Sequence, residues 1–111
     1  MARRRSKVDA NQGKIVKALE AANASVQSLS DVGGGCPDLL VGRKGFICPN
    51  CNEWSPIPMN YLMEVKDGST YPSWRKLTQA QIDWHAEWRG QKIVVLNPTE
   101  AIKVLMFPCS P

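Results

Sequence analysis

The sequence of 111 residues predicts an α/β fold in which a central β-sheet is flanked by helices. Apolar residues recur at helical spacing in two long segments, and short apolar runs typical of strands lie between and after them. Stretches rich in Gly and Pro separate these segments. The predicted order is helix, strand, strand, strand, helix, strand, helix. A chain of this length forms one domain around a single core, and we expect that domain to span residues 9–108.

The first two elements are a helix and a weak edge strand. Between Asp9 and Ala22 the apolar residues, including Ile15 and Leu19, recur at helical spacing, so we predict a helix there. The segment ASVQSLS, residues 24–30, is short and alternating, which predicts an edge strand. The glycines of DVGGG then interrupt regular structure.

Two apolar strands form the centre of the predicted sheet. We place them at Asp38 to Gly42 and at Asn60 to Lys66. The stretch between them, at about residues 44–59, carries three prolines and two cysteines and is expected to be a hairpin insertion.

A second strong helix is predicted from Leu77 to Arg89. Thr78 is a good N-cap for it, and Gly90 is a good terminator. The apolar run QKIVVLN, residues 91–97, then predicts a buried strand.

A last helix is predicted within NPTEAIKVL. Asn97 is its expected N-cap and Pro98 occupies the first helical position. Glu100 lies three residues after the cap, where it is placed to close a capping box.

The formal net charge of +4 comes from the start of the chain. Four of the 14 basic residues lie in the first seven positions, which leaves ten basic residues against ten acidic ones elsewhere. We expect residues 1–8 to form a flexible basic arm that seeks phosphate groups, a solvated terminus being the alternative. The sequence has no apolar window that suits a membrane span or a secretory signal, so we expect a cytoplasmic protein.

Charged residues interrupt the two central strands. Alternation along the second strand places Glu64 and Lys66 on one face, where burial is costly unless another group compensates it. A simple ion pair is one explanation. Asp38 begins the neighbouring strand and can lie beside Glu64 if the two strands pair antiparallel. Two carboxylates with a lysine nearby suit a hard divalent cation, which can orient a phosphodiester and activate water.

Three motifs then support a family resemblance. GGGCPDLLVG at 33–42, LMEVKDG at 62–68 and LTQAQIDWHAEWRG at 77–90 occur in this order. Together they resemble the PD-(D/E)xK nuclease superfamily, and more closely the small stand-alone VRR-NUC proteins of phages and bacteria. The resemblance runs from about Val8 to Leu105. It implies a restriction-endonuclease-like core, with a mixed central sheet on which the first and second helices pack.

The resemblance also implies roles for individual residues. Asp38 and Glu64 are the expected metal ligands, with the backbone carbonyl of Val65 as a third. Lys66 is the expected catalytic lysine, and Gln81 is the helix-borne polar residue of the active site.

One position departs from the pattern. Relatives often carry a glutamate on the first helix that points at the metal, and that place falls at Gln12 here. A glutamine brings no charge, so a part for the first helix in metal binding stays open.

Several residues of the second predicted helix have two explanations. Gln81 also forms a T-x-x-Q capping box with Thr78, and the cap and the active-site role do not exclude each other. His85 lies one turn after Gln81 and either faces the site or has a structural role. Trp84 and Trp88 are expected to be core or subunit contacts.

The segment DGSTYPSWRK, residues 67–76, leaves the strand that carries Lys66 and interleaves cations with aromatic residues. Such a loop suits contact with a nucleic-acid backbone and stacking on an exposed base, a solvated loop being the alternative. The candidate DNA-binding residues are Tyr71, Trp74, Arg75 and Lys76 in this loop and Arg3, Arg4 and Arg5 in the arm.

The four cysteines are expected to be thiols or metal ligands rather than disulfides. Cys48 and Cys51 have C-x-x-C spacing and could supply half of a structural zinc site. The remaining ligands would have to come from Cys36, Cys109, His85 or a second subunit. A plain turn with buried thiols is the leading alternative.

The resemblance implies a metal-dependent endonuclease that uses Mg²⁺ or Mn²⁺. It further implies activity on branched DNA, Holliday junctions above all, by a homodimer in the cytoplasm of a bacterial or phage-infected cell. The rival hypotheses are a non-catalytic DNA-binding or assembly module with the same fold and a zinc-bridged interaction protein.

Overall fold

The computed structural model describes residues 7–47, 52–68 and 76–105. In these ranges the chain forms three helices and six strands. In chain order they are α1 (Lys7–Ala21), β1 (Ser25–Ser28), β2 (Leu39–Arg43), β3 (Phe46–Ile47), β4 (Trp54–Ser55), β5 (Met59–Val65), α2 (Gln79–Glu87), β6 (Lys92–Val95) and α3 (Pro98–Val104).

Four strands form a mixed sheet in the order β1-β2-β5-β6. The β1/β2 and β2/β5 pairs are antiparallel, whereas β5 and β6 are parallel and are joined through α2. This arrangement confirms the predicted α/β fold with a mixed central sheet. The predicted order lacked β3 and β4, which pair antiparallel with each other between β2 and β5 and form a separate two-stranded sheet.

One face of the main sheet carries the core. Cross-strand pairs such as Leu39 with Met63 and Val41 with Tyr61 are buried on this face. The apolar side chains of α1 and α3 contribute to the same cluster, and these two helices contact one another. The buried apolar residues are Ile15, Leu19, Ala24, Leu39, Val41, Tyr61, Met63, Val65, Val95, Ala101, Val104 and Leu105.

The opposite face of the sheet is less covered. Leu40 pairs with Leu62 on this face, and Leu40 is 37% exposed. Because side chains alternate along a strand, Glu64 projects on the same side as Leu62. The candidate acidic residue of β5 therefore lies on the face that α1 and α3 leave free.

Helix α2 is shorter than predicted and differs from the expectation in its packing. It begins at Gln79 after the predicted N-cap Thr78, whose capping box is confirmed. The prediction that Gly90 ends the helix is wrong, because the backbone of Trp88 already turns extended (φ −74°, ψ 125°). The second helix was expected to pack on the sheet, but no residue of α2 is fully buried.

The two tryptophans near the end of α2 do not belong to the core. Their rings stack with centroids 4.8 Å apart. Trp84 is half-buried and Trp88 is 45% exposed, which makes their prediction as core residues wrong. Their prediction as subunit contacts stays a prediction.

The caps of α3 agree with the sequence in part. Asn97 Oδ1 accepts a hydrogen bond from Glu100 N at 2.8 Å, and Pro98 lies at the first helical position, as predicted. Glu100 does not close a capping box on Asn97, because its Oε1 accepts from Leu96 N at 2.8 Å instead. The strand β6, predicted to be buried, is an edge strand in which only Val95 is buried.

In the described parts of the chain, the helices are too short or too polar to cross a membrane.

Candidate active site

The antiparallel pairing of β2 and β5 brings the predicted carboxylates together. Leu39 pairs with Met63, so Asp38, one residue before β2, lies at the level of Glu64 near the end of β5. Asp38 Oδ2 accepts a hydrogen bond from the backbone N–H of Val65 at 2.7 Å. One carboxylate oxygen of Asp38 is thus hydrogen-bonded to the backbone of the strand that carries Glu64.

The backbone of Asp38 is fixed as well. Its carbonyl oxygen accepts a hydrogen bond from Leu29 N at 2.8 Å. Pro37 immediately before it is fully buried and restricts the approach of the chain. The acidic side chain therefore has a defined position relative to β5.

Glu64 is buried, with 1% of its surface exposed. The pKa of its carboxyl is raised to about 8, first by burial and then by a hydrogen bond with Asp38 and the charge of Asp38, while the charge of Lys66 acts in the opposite direction. The two carboxyl groups are therefore close enough to disfavour joint ionisation in the absence of a cation. Asp38, Glu64 and Lys66, which were predicted from the sequence to share a site, therefore lie close together in the structure.

Gln81 connects three groups of this site. Its Nε2 donates to Glu64 Oε2 at 3.0 Å, and its Oε1 accepts from Lys66 Nζ at 3.0 Å. The same Oε1 accepts from Thr78 N at 2.9 Å, while Gln81 N donates to Thr78 Oγ1 at 3.2 Å. The capping box is therefore confirmed, and the same side chain also contacts the acid and the lysine, which is compatible with the predicted active-site role.

Gly35 determines how closely the loop before β2 approaches α2. Its φ of +86° lies in the left-handed region, and a Cβ there would overlap the carbonyl oxygen of Ala80. Only glycine fits this contact, which sets the first turn of α2 beside the Asp38 loop. Gln81 follows Ala80 directly, so the same contact locates it.

Asn11 supports the site from α1 and was not predicted. Its Nδ2 donates to the backbone carbonyls of Lys66 at 2.9 Å and of Leu96 at 3.1 Å. Asn11 lies four residues before the buried Ile15, and this spacing was the signal available in the sequence. Gln12 is half-buried, and its side chain makes no hydrogen bond to any residue that the structure describes.

His85 faces Glu64 from the second turn of α2. Its Nε2 lies 4.0 Å from Glu64 Oε1. Burial, and secondarily the charge of Lys92, lower the pKa of His85, which favours a neutral imidazole. Of the two explanations for His85, the geometry favours the one that places it at the site.

Other candidate residues are only partly covered by the structure. Lys76 is exposed and lies three residues before α2. Cys36 is a free thiol whose pKa is raised by burial first and then by the charges of Glu64 and Asp38. The remaining predicted DNA-binding and zinc residues lie outside the described residues: Arg3, Arg4, Arg5, Tyr71, Trp74, Arg75, Cys48 and Cys51.

The residues present fit a cation that prefers oxygen ligands. Asp38 and Glu64 supply two carboxylates whose mutual repulsion a cation would relieve, and the Val65 carbonyl is the predicted third ligand. Within residues 7–47, 52–68 and 76–105, no group of three or more His, Cys, Asp and Glu side chains is arranged to hold a metal. Such a limited protein ligand set is typical of Mg²⁺, which keeps several waters.

Comparison with known proteins supports the fold. No protein-family model matches the sequence, and no curated protein matches it. A solved structure named VRR_NUC domain is similar, with a TM-score of 0.57 and 24% sequence identity. The similarity covers 95% of this chain and 100% of that chain. The predicted resemblance is therefore confirmed at the level of the fold.

Proposed function

We propose that this chain is a metal-dependent nuclease that hydrolyses phosphodiester bonds in DNA. The observation that carries the proposal is the contact of Gln81 with both Glu64 and Lys66 at 3.0 Å, beside a second carboxyl group at Asp38. The likeness in fold to the VRR_NUC domain structure supports it.

Each residue of the group has a chemical role in the proposal. Asp38, Glu64 and the Val65 carbonyl hold the cation. When bound, a divalent cation polarises the phosphate and lowers the pKa of a bound water. Lys66 places a positive charge where negative charge develops on the phosphate, and its bond to Gln81 fixes the position of the ammonium group.

The finer part of the proposal concerns the substrate and the assembly. We propose branched DNA, Holliday junctions in particular, as the substrate, since the three sequence motifs resemble those of stand-alone VRR-NUC proteins. A homodimer follows from the chemistry, because symmetrical cleavage of two strands needs two sites. Lys76, together with the arm and the loop before α2, is proposed to contact the DNA backbone.

A non-catalytic DNA-binding module is the second candidate. The observation that favours it is that Gln12 stands where the motif predicts an acid, so the part of the chain described here brings only two carboxylates to the site. This alternative predicts DNA binding that is independent of Mg²⁺ and no cleavage.

The test compares a four-way junction, a flap and a linear duplex of DNA, each with Mg²⁺, with Mn²⁺ or with a chelator. Cleavage of a matched RNA duplex, measured in parallel, shows whether the protein also accepts RNA as a substrate. We expect cleavage only with metal, and preferentially of the junction. Lys66→Ala should lose about 100-fold or more of the cleavage rate while DNA binding is largely kept.

Lys103→Ala is the matched control, because Lys103 is an exposed lysine on α3 and its removal changes the net charge equally. It should cut like the wild-type protein. Equal cutting by Lys66→Ala would refute the proposed role of Lys66. Metal-independent binding without any cleavage would favour the non-catalytic module.

A further inference from the structure

Two buried polar atoms of the site face each other without a partner. Glu64 Oε1 and His85 Nε2 make no hydrogen bond to any residue that the structure describes, and both are shielded from solvent. The side chains of Glu64 and His85 are 2% and 13% exposed. Their separation of 4.0 Å exceeds the length of a direct hydrogen bond. Buried polar atoms in native proteins are paired with protein atoms or ordered water, so this pair needs an explanation.

A single water satisfies both atoms. Hydrogen bonds of about 2.8 Å from one oxygen span such a gap with an angle of about 90° between them. A water both donates and accepts, so it can serve either tautomer of a neutral imidazole. A metal ion would require a lone pair on Nε2, and no cluster of three candidate ligand side chains is found in the described residues.

We propose that His85 is a positioning residue for Glu64, acting through a water that hydrogen-bonds to both side chains. The inference rests on the proposed function, because it concerns how Glu64 is presented to the metal. Gln81 already holds Oε2 of the carboxylate at 3.0 Å. A hydrogen bond to Oε1 on the other side fixes the carboxylate plane, so its remaining lone pairs face Asp38 and the cation.

The electrostatics of His85 agree with this role. Burial and the charge of Lys92 favour the neutral ring, which places no additional positive charge beside the cation. The ring also lies edge-on to Trp84, with centroids 6.0 Å apart at an angle of 71°. This contact limits the orientations that the imidazole can adopt.

The first test measures the affinity for Mn²⁺, without DNA, in two conservative variants. In His85→Gln the side-chain amide lies near the position of Nε2, whereas in His85→Asn it is too short and lies near that of Nδ1. We expect the Asn variant to bind Mn²⁺ about ten-fold more weakly or worse, and the Gln variant to bind within about three-fold of wild type. At saturating Mn²⁺ both variants should recover most of kcat.

The second test needs no substitution of His85. The chain has one histidine, so ¹⁵N-histidine labelling of the untagged protein gives NMR signals from the two ring nitrogens of His85 alone. In the metal-free protein, Glu64→Gln should shift the Nε2 signal more than the Nδ1 signal. This result does not depend on folding of a His85 variant or on nuclease activity.

The outcomes separate the inference from the proposed function. If His85→Asn binds Mn²⁺ with wild-type affinity, or if Glu64→Gln does not shift the Nε2 signal, the positioning role of His85 is overturned. The proposed nuclease function is unaffected by either result. Nitrogen hyperfine coupling to Mn²⁺ in pulsed EPR overturns the water-mediated role in favour of direct ligation. A wild-type protein that binds Mn²⁺ as expected but cuts no DNA refutes the nuclease and leaves the positioning role intact. Absence of Mn²⁺ binding overturns both.

Discussion

The side-chain oxygen of Gln81 accepts a hydrogen bond from Lys66 Nζ at 3.0 Å. The same oxygen accepts the N–H of Thr78, and the amide nitrogen donates to Glu64. The residue that closes the N-terminus of α2 is therefore the residue that fixes the lysine and the acid. The stability of α2 and the geometry of the site therefore both depend on the side chain of Gln81. Substitutions at Thr78 and Gln81 can distinguish the effect on stability from the effect on cleavage.

Thr78→Ala should destabilise the protein with little effect on cleavage. The substitution removes the acceptor for Gln81 N, a loss that costs about 1 kcal/mol at an N-cap. The contacts of Gln81 with Lys66 and Glu64 remain. Urea unfolding measures the first effect, and the rate of junction cleavage at saturating metal measures the second.

Gln81→Ala should lower the free energy of unfolding by a similar amount and also lower cleavage by about ten-fold or more. It removes the bonds to Lys66 and Glu64 together with half of the capping box. Thr78→Ala is its matched control. If both variants lost cleavage equally, the contribution of Gln81 would be that of a cap alone.

Gly35→Ala should impair folding and cleavage more than Gly34→Ala. Both glycines have a positive φ, which costs an alanine about 1–2 kcal/mol. A Cβ at Gly35 would overlap the carbonyl oxygen of Ala80, whereas a Cβ at Gly34 would have no atom of the described residues within 4 Å. The additional strain moves the start of α2 away from β5 and with it Gln81. Thermal unfolding and cleavage rates of the two variants, compared side by side, check this expectation.

The parts of the site that the sequence predicted are those governed by strand geometry. Alternation along the predicted strand placed Glu64 and Lys66 on one face, and antiparallel pairing placed Asp38 beside Glu64. The register of β2 and β5 agrees with the position of Asp38, and Lys66 directly follows the end of β5. The N-caps Thr78 and Asn97 were also predictable, because the cap depends on a local side chain.

The parts that could not be predicted depend on long-range contacts. Asn11 donates to backbone carbonyls 55 and 85 residues away. Its spacing from Ile15 indicates which face of the helix it occupies, but the sequence does not show which carbonyls lie there. Gly90 looked like a helix terminator because glycine suits a C-terminal cap, yet Trp88 leaves the helix first. The second helix was expected to pack on the sheet, but the contact of α2 with the site is made by the polar side chains of Gln81 and His85.

Asn11→Ala should destabilise the protein by about 1–3 kcal/mol, because the Lys66 carbonyl loses the Asn11 donor and the Leu96 carbonyl keeps the N–H of Gly68 but loses the side-chain amide. One of these carbonyls belongs to Lys66, so cleavage should fall as well. Gln12→Ala is the neighbouring control and should change stability by about 0.5 kcal/mol or less. Denaturant unfolding measures both variants. A larger loss in Gln12→Ala than in Asn11→Ala would contradict the assignment of Asn11 as the residue of α1 that supports the backbone at Lys66 and Leu96.

The raised pKa of Glu64 predicts how the stability of the metal-free protein depends on pH. In the folded protein the pKa of the Glu64 carboxyl is raised to about 8 from its ordinary value of 4.5. The folded state therefore binds more protons than the unfolded state between these values, and the contribution of Glu64 to stability is lost as pH rises through the folded pKa. His85, with a lowered pKa, has the opposite effect, but only at and below the ordinary histidine pKa of 6.5.

Between about pH 6.5 and 8.5 the effect of Glu64 should therefore dominate, and the Tm of chelator-treated protein should fall as the pH is raised. Glu64→Gln cannot ionise and should remove most of this slope. Mg²⁺ or Mn²⁺ binds the ionised carboxylates, so the metal should raise the Tm of the wild-type protein more at pH 8.5 than at pH 6.5 and should have little effect on Glu64→Gln. Thermal unfolding in matched buffers measures all three. Metal binding depends on pH in this direction only when a ligand must first lose a proton. An increase in Tm on metal addition that is equal at both pH values, or that persists in Glu64→Gln, would therefore mean that the cation binds elsewhere.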